Sequence, residues 1–207
     1  MTEMVRSPEQ VAQVFREKFG AAITDIRITE RREGVKKNPN FNIWIDIDRS
    51  ILNPAIATLI DIHFPHLAVI SGVDTGEAVR LIYHFTVFYG HPGSECTVSF
   101  SVNLPKSDLC VPTISGLIPG AVFSEREKQE FFGISVTDIP DGRRLFLPED
   151  FPEGVYPWRK DETGVPDGMI NELWRSKRPT DRPAPPAEEK ELCELPAEDT
   201  PPKEGSS

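Results

Sequence analysis

The sequence lacks any apolar run long enough to cross a bilayer. Its most apolar windows are short, and one of them, residues 55–62, still holds Thr58 and Asp61; a span needs about 20 mostly apolar residues. It also lacks the basic start and apolar stretch of a secretory signal, opening instead Met1-Thr2-Glu3-Met4-Val5-Arg6. Positive charge is short: 23 Lys+Arg face 33 Asp+Glu, a net charge of −10. Such a chain suits no phosphate backbone, so no nucleic-acid partner is expected. Cysteine is scarce. Cys96, Cys110 and Cys193 are far apart, odd in number and free of any CxxC spacing. That excludes a disulfide framework and a four-thiolate iron–sulfur cluster, and it suits a reducing cytoplasmic compartment. No GxGxxG, GxxxxGK[ST] or GxSxG occurs, so neither a nucleotide loop nor a nucleophile elbow is present.

Proline, by contrast, is abundant: 20 of 207 residues, against a usual share of about 5%. Six of these prolines fall in residues 180–207, with eight acids against three bases, so this tail carries −5 of the −10. It has few apolar side chains, chiefly Leu192 and Leu195, and no aromatics. It is expected to be disordered unless bound, because it cannot bury enough area to offset chain entropy.

Patterning predicts an α+β fold. Ser7-Pro8-Glu9-Gln10 is a capping box with proline at the first helical position, and Val11, Val14, Phe15 and Phe19 follow at helical spacing until Gly20. Ile26 and Ile28 suggest a short strand. Phe41, Ile43, Ile45 and Ile47 alternate with polar residues, as in a strand with one buried face. Asn53-Pro54 opens a second helix to about Ile62, and residues 67–73 read as a strand. Val79 to Val87 and Cys96 to Val102 alternate on either side of Gly90-His91-Pro92-Gly93-Ser94, a hairpin. The order α-β-β-α-β-β-β, then a helix, predicts a mostly antiparallel sheet with helices on one face. Residues 1–138 are expected to form this domain. Residues 139–179 have little periodicity and are rich in Pro, Gly, Arg and Asp, as in a segment that packs on a partner.

The candidate chemistry is thin. Ser124 and Glu127 read as a capping box, Arg126 and Glu130 as a pair four apart on a helix, and Gly133 as its left-handed end. Arg143-Arg144 and Arg159-Lys160 are basic spots in an acidic chain. Arg159 lies between Pro157-Trp158 and Asp161, a setting suited to an interface anchor. Asp61, His63 and His66 are the one set with metal-ligand types, but Pro65 interrupts them and two histidines fall short of a usual ligand set. His84 and His91 sit on the hairpin, where polar surface positions are expected.

Taken together, the motifs resemble a known family. Val73-Asp74, Tyr83-His84-Phe85, Val111-Pro112-Thr113-Ile114 and Pro119-Gly120-Ala121 come first. Glu125-Arg126-Glu127 and Glu130-Phe131-Phe132-Gly133-Ile134 follow. Asp141-Gly142-Arg143-Arg144-Leu145, Pro148-Glu149-Asp150 and Pro157-Trp158-Arg159-Lys160-Asp161 close the series. This series is similar to the 30 kDa subunit family of respiratory complex I. That family includes the C subunit of NADH-quinone oxidoreductase and the matching small subunit of energy-converting NiFe-hydrogenases. The resemblance covers roughly residues 5–165, and its most specific stretch runs from Glu125 to Asp161. Ile139-Pro140-Asp141-Gly142 and Tyr156-Pro157-Trp158 depart from the quinone-type pattern, and so the likeness is to the hydrogenase branch.

The resemblance implies a non-catalytic structural subunit that carries no cofactor or metal of its own. Its expected partners are a large NiFe-hydrogenase-like or 49 kDa-like subunit, a small iron–sulfur subunit and membrane-arm subunits. The NiFe centre and iron–sulfur clusters would lie in those partners, and the chain would be peripheral on the cytoplasmic side of the membrane. The residues expected to serve docking are Glu125, Arg126, Glu127, Gly133, Arg143, Arg144, Trp158, Arg159, Lys160 and Asp161. The alternative within the family is the C subunit of an oxidoreductase that passes electrons from NADH or another donor to quinone. Outside it stand a metal enzyme built on Asp61, His63 and His66, and a generic binding module with a regulatory acidic tail.

Overall fold

The computed structural model describes residues 5–33, 38–90 and 93–169; His91, Cys193 and the proline-rich tail lie outside them. Helix α1, Pro8–Phe19, begins as its sequence dictates. The Ser7 hydroxyl accepts from the Gln10 amide and the Gln10 side chain accepts from the Ser7 amide. Gly20 ends it at φ +46°. Strands β1 (Ile23–Glu33) and β2 (Asn38–Ile47), helix α2 (Leu52–Ile62), and strands β3 (His66–Asp74), β4 (Ala78–Val87) and β5 (Cys96–Pro105) follow. A short β6 (Cys110–Pro112), helix α3 (Ala121–Phe132) and β7 (Ser135–Thr137) complete the elements before a chain of turns that runs to residue 169.

The five long strands form one sheet in the order β1-β2-β5-β4-β3. Every pairing is antiparallel except β2 with β5. Alternation sets which face is buried. Ile43 and Ile45 of β2, Val98 and Phe100 of β5, and Tyr83 and Phe85 of β4 lie side by side in register. Helices α1 and α2 cover this face: Phe15, Ile56 and Leu59 are fully buried, and the Phe15 ring meets Phe100 edge-on at 5.3 Å.

Helix α3 lies on the same face, over the edge strand β3. Gly72 of β3 sits opposite the core residue Leu81, and a Cβ there would come within 2.4 Å of the Phe132 ring. Glycine is required at that crossing. The mostly antiparallel sheet with helices on one face is therefore as patterning predicts.

Three details differ. Strand β1 is 11 residues long rather than short, because its outer half is a charged edge with no apolar alternation. Strands β6 and β7, three residues each, pair in parallel and are too short to show a period. Helix α3 starts at Ala121 with Gly120 as its cap, so Ser124 is inside the helix and does not cap it.

Candidate docking site

Helix α3 has no apolar stripe, yet it is buried on two sides. Glu125, Arg126, Lys128 and Glu130 are all below 9% exposed. Charges survive burial only when every donor and acceptor is matched, and each of these four is matched within the chain.

Glu125 faces inward, accepting from the Thr113 hydroxyl at 2.6 Å and the Ile114 amide at 2.7 Å. It therefore fixes the turn after β6. Burial pushes its carboxyl above the usual carboxylate range, against those two hydrogen bonds. Burial likewise raises the nearby Tyr83 hydroxyl, and the Glu125 charge adds to that.

Arg126 and Glu130 face the segment that follows the helix and do not pair with each other, contrary to their four-residue spacing. Arg126 donates to the carbonyls of Arg143 and Arg144, each at 2.7 Å, and to Asp141 at 3.2 Å. Glu130 accepts three consecutive amides, Leu145, Phe146 at 2.9 Å and Leu147 at 3.0 Å. Backbone groups that no strand or helix satisfies are thus satisfied by two helical side chains. That is how residues 139–151 hold a defined shape without periodicity.

Arg143 is held by Asp141 through two hydrogen bonds of 2.9 Å, and its side chain is 84% exposed. This holds the Asp141 carboxyl well below the usual range. Arg144 turns back on its own loop, donating to the carbonyls of Pro148 at 2.7 Å and Phe151 at 3.0 Å.

The second half of the segment closes over the end of α3. Gly133 is left-handed at φ +68°, as its place in the sequence predicts, and a Cβ there would lie 2.5 Å from the Tyr156 ring. Trp158 stacks on Phe131 with centroids 4.3 Å apart, donates its amide to the Phe131 carbonyl at 3.0 Å, and takes the Lys128 ammonium at 4.8 Å from its ring. Lys128 also pairs with Glu127.

Arg159 donates to the Phe132 carbonyl at 2.9 Å and reaches Asp161 at 3.4 Å. Asp161 pairs with Lys106, and so does the fully buried carboxylate of Asp74 at 2.9 Å. Asp74 also accepts the amides of Lys160 and Gly76. Burial pushes the Asp74 carboxyl up, but these donors outweigh it and the net shift is down. Lys106 and Thr163 hold Asp161 well below its ordinary value. The Lys160 side chain is exposed.

The structure therefore brings all ten expected residues to α3 and the segment behind it. Sequence reasoning gave no docking role to Lys106, Asp74, Glu130 or Phe146. One signal was available: a helix with no apolar face is held by its polar contacts rather than by one buried stripe. Asp61, His63 and His66 do not converge. His63 is buried edge-on between the rings of Phe88 and Tyr89, while Asp61 and His66 are exposed. Among the described residues no group of three or more His, Cys, Asp or Glu could hold a metal ion. No helix there is long and apolar enough to cross a membrane. His84 is half-buried, not a plain surface residue: its Nδ1 is 3.0 Å from the Ser99 hydroxyl, its ring meets Trp44 edge-on, and burial lowers its pKa.

Residues 45–166 match the family described as respiratory-chain NADH dehydrogenase, 30 Kd subunit. The chain is 31% identical over 163 residues to the membrane-bound hydrogenase subunit beta of Pyrococcus furiosus, covering 78% of this chain and 90% of that one. It is 32% identical over 127 residues to the C subunit of the Herpetosiphon aurantiacus NADH-quinone oxidoreductase, covering 58% and 70%. A chain of the membrane-bound sulfane sulfur reductase, an archaeal respiratory membrane complex, has the same fold. Its TM-score is 0.63 at 18% identity, over 85% of this chain and 98% of that one.

Proposed function

Because the chain belongs to the respiratory-chain NADH dehydrogenase 30 kDa subunit family, we propose that it is the structural subunit of an energy-converting hydrogenase and docks on the NiFe-bearing large subunit. Members of the family are accessory subunits of oxidoreductase complexes rather than stand-alone enzymes, and this chain is one of them. Its relatives belong to multi-subunit membrane complexes, so its partners are other subunits. In this reading the NiFe centre and the iron–sulfur clusters sit in those partners, and the chain lies on the cytoplasmic side of the membrane arm. On this reading residues 1–138 are the α+β body and residues 139–179 the docking segment, of which the structure describes those up to residue 169; the acidic tail, residues 180–207, lies outside the described residues.

The observation that carries the docking role is the pair of exposed aromatics on a rigidly held segment. Phe146 is 61% exposed and Trp158 42%, and both rest on Phe131. The charges beneath them, Glu125, Arg126, Glu127, Arg144, Arg159 and Asp161, with Gly133, shape the surface. Arg143, Trp158 and Lys160 lie outermost on it. A preorganised aromatic pair binds at low ordering cost.

The match to the hydrogenase beta subunit spans most of both chains, and this favours the hydrogenase branch over the quinone branch. The test is to tag the chain in its native host and purify it from solubilised membranes. Stoichiometric large and small subunits, nickel, and hydrogen evolution from a reduced donor are expected. Donor-driven quinone reduction without nickel would establish the C subunit of a quinone reductase instead. Recovery of the chain alone would overturn both.

A further inference from the structure

The sequence invites the idea that the basic residues of the segment meet an acidic partner. The side-chain contacts reverse that sign. Arg126, Lys128 and Arg159 turn inward, Arg144 is exposed but spent on the carbonyls of its own loop, and Arg143 is paired with Asp141. The exposed charges left over are mostly acidic. Glu149, Asp150, Glu153 and Glu162 are exposed, and none makes an ion pair or side-chain hydrogen bond among the described residues. In the same stretch Lys160 is the exposed cation without such a partner.

These acids belong to the same surface as the aromatics. Phe146 is fixed through its amide by Glu130, and the turn that follows it, residues 148–151, is gathered around Arg144. Glu153 lines the cleft that Glu130, Arg144 and Leu147 also line. Glu162 directly follows Asp161, the carboxylate that holds Arg159 next to Trp158.

A surface with an apolar centre and a rim whose unpaired charges are mostly acidic selects a partner of matching pattern. Resting on the docking role proposed above, we infer that this face receives a basic patch of the partner subunit. That patch has lysine and arginine side chains around an apolar pocket that takes Phe146 and Trp158. Aromatic anchors in the centre supply most of the affinity, and the acidic rim sets the orientation and the association rate.

Zero-length carbodiimide cross-linking of the complex purified from its native membranes tests this, because it joins carboxylates to lysines only where they touch. Mass spectrometry is expected to find Glu149, Asp150 or Glu153 joined to lysines of another subunit. The triple variant E149K/D150K/E153K changes only exposed positions. It should lower retention of the chain in the complex at low salt by about tenfold or more, and retention should recover as salt rises.

Cross-links that run only from Lys160 to partner carboxylates would overturn the inference and mark an acidic partner. Cross-links only to a second copy of this chain would overturn it in favour of self-association. An intact complex with no cross-link from these acids and full retention of the triple variant would also overturn it, while leaving the subunit role standing. A wild-type chain that brings down no other subunit would instead defeat the subunit role itself.

Discussion

The sheet body and the α3 region reach order by opposite means. In the body, Phe15, Phe85, Phe100, Ile43 and Ile45 are buried with no polar atom among their side chains, and shape alone fixes them. Around α3, order comes from buried charges that take up the free carbonyls and amides of an irregular chain. An apolar core tolerates changes of pH and salt but not of volume. A charged clasp tolerates volume changes at its rim but not the loss of one partner. A segment held this way keeps the rings of Phe146 and Trp158 exposed.

The largest expected effect falls on the body. Phe100→Ala removes a ring packed between Phe15 and Phe85 and should lower unfolding free energy by about 3–5 kcal/mol, read from urea denaturation. A loss below about 1 kcal/mol would mean that the sheet core is not where stability resides.

Glu130→Ala probes the clasp in the same way. It strands the amides of residues 145–147, at about 1–3 kcal/mol. The loss should be local: hydrogen exchange should rise across residues 139–151 while β4 and β5 stay protected. Uniform loss across both regions would dissolve the distinction.

Acid should separate the regions without mutation. Asp74, Asp141 and Asp161 have folded pKa values below their ordinary ones. Their stabilisation is complete above the ordinary carboxylate range, about pH 4, and is lost as pH falls through the lower folded values. Glu125 is shifted upward, so its contribution is present below that range and lost as pH rises through its folded value. Residues 139–164 should therefore open in acid before β4 and β5 do, as seen by exchange at matched intrinsic rates. Simultaneous opening would contradict the clasp.

The smallest effect belongs to the edge strand. Arg27 and Asp25 of β1 pair with both side chains about half exposed. Arg27→Ala should change stability by less than about 0.5 kcal/mol, checked by the same denaturation series.

The two regions also differed in how well they could be read from sequence. Phe41 to Ile47 and Val79 to Val87 carry a period of two because one face is buried, so these strands and the β4–β5 hairpin were legible, while the parallel pairing of β2 with β5 was not. The α1 capping box was legible because its partners lie three residues apart. Arg126 and Glu130 misled for the opposite reason. Local spacing made them partners of each other, while their real partners, carbonyls at 143–144 and amides at 145–147, carry no side-chain signature. Lys106 was invisible because its partners, Asp74 and Asp161, are distant in sequence.

Residues 139–164, proposed above as the docking segment, take their shape from contacts within this chain alone. The direct measurement is native-state hydrogen exchange of the Leu145, Phe146 and Leu147 amides in the isolated full-length chain at neutral pH. The account predicts protection comparable to that of helix α3. Exchange at the rate of a free peptide, with α3 still protected, would contradict it.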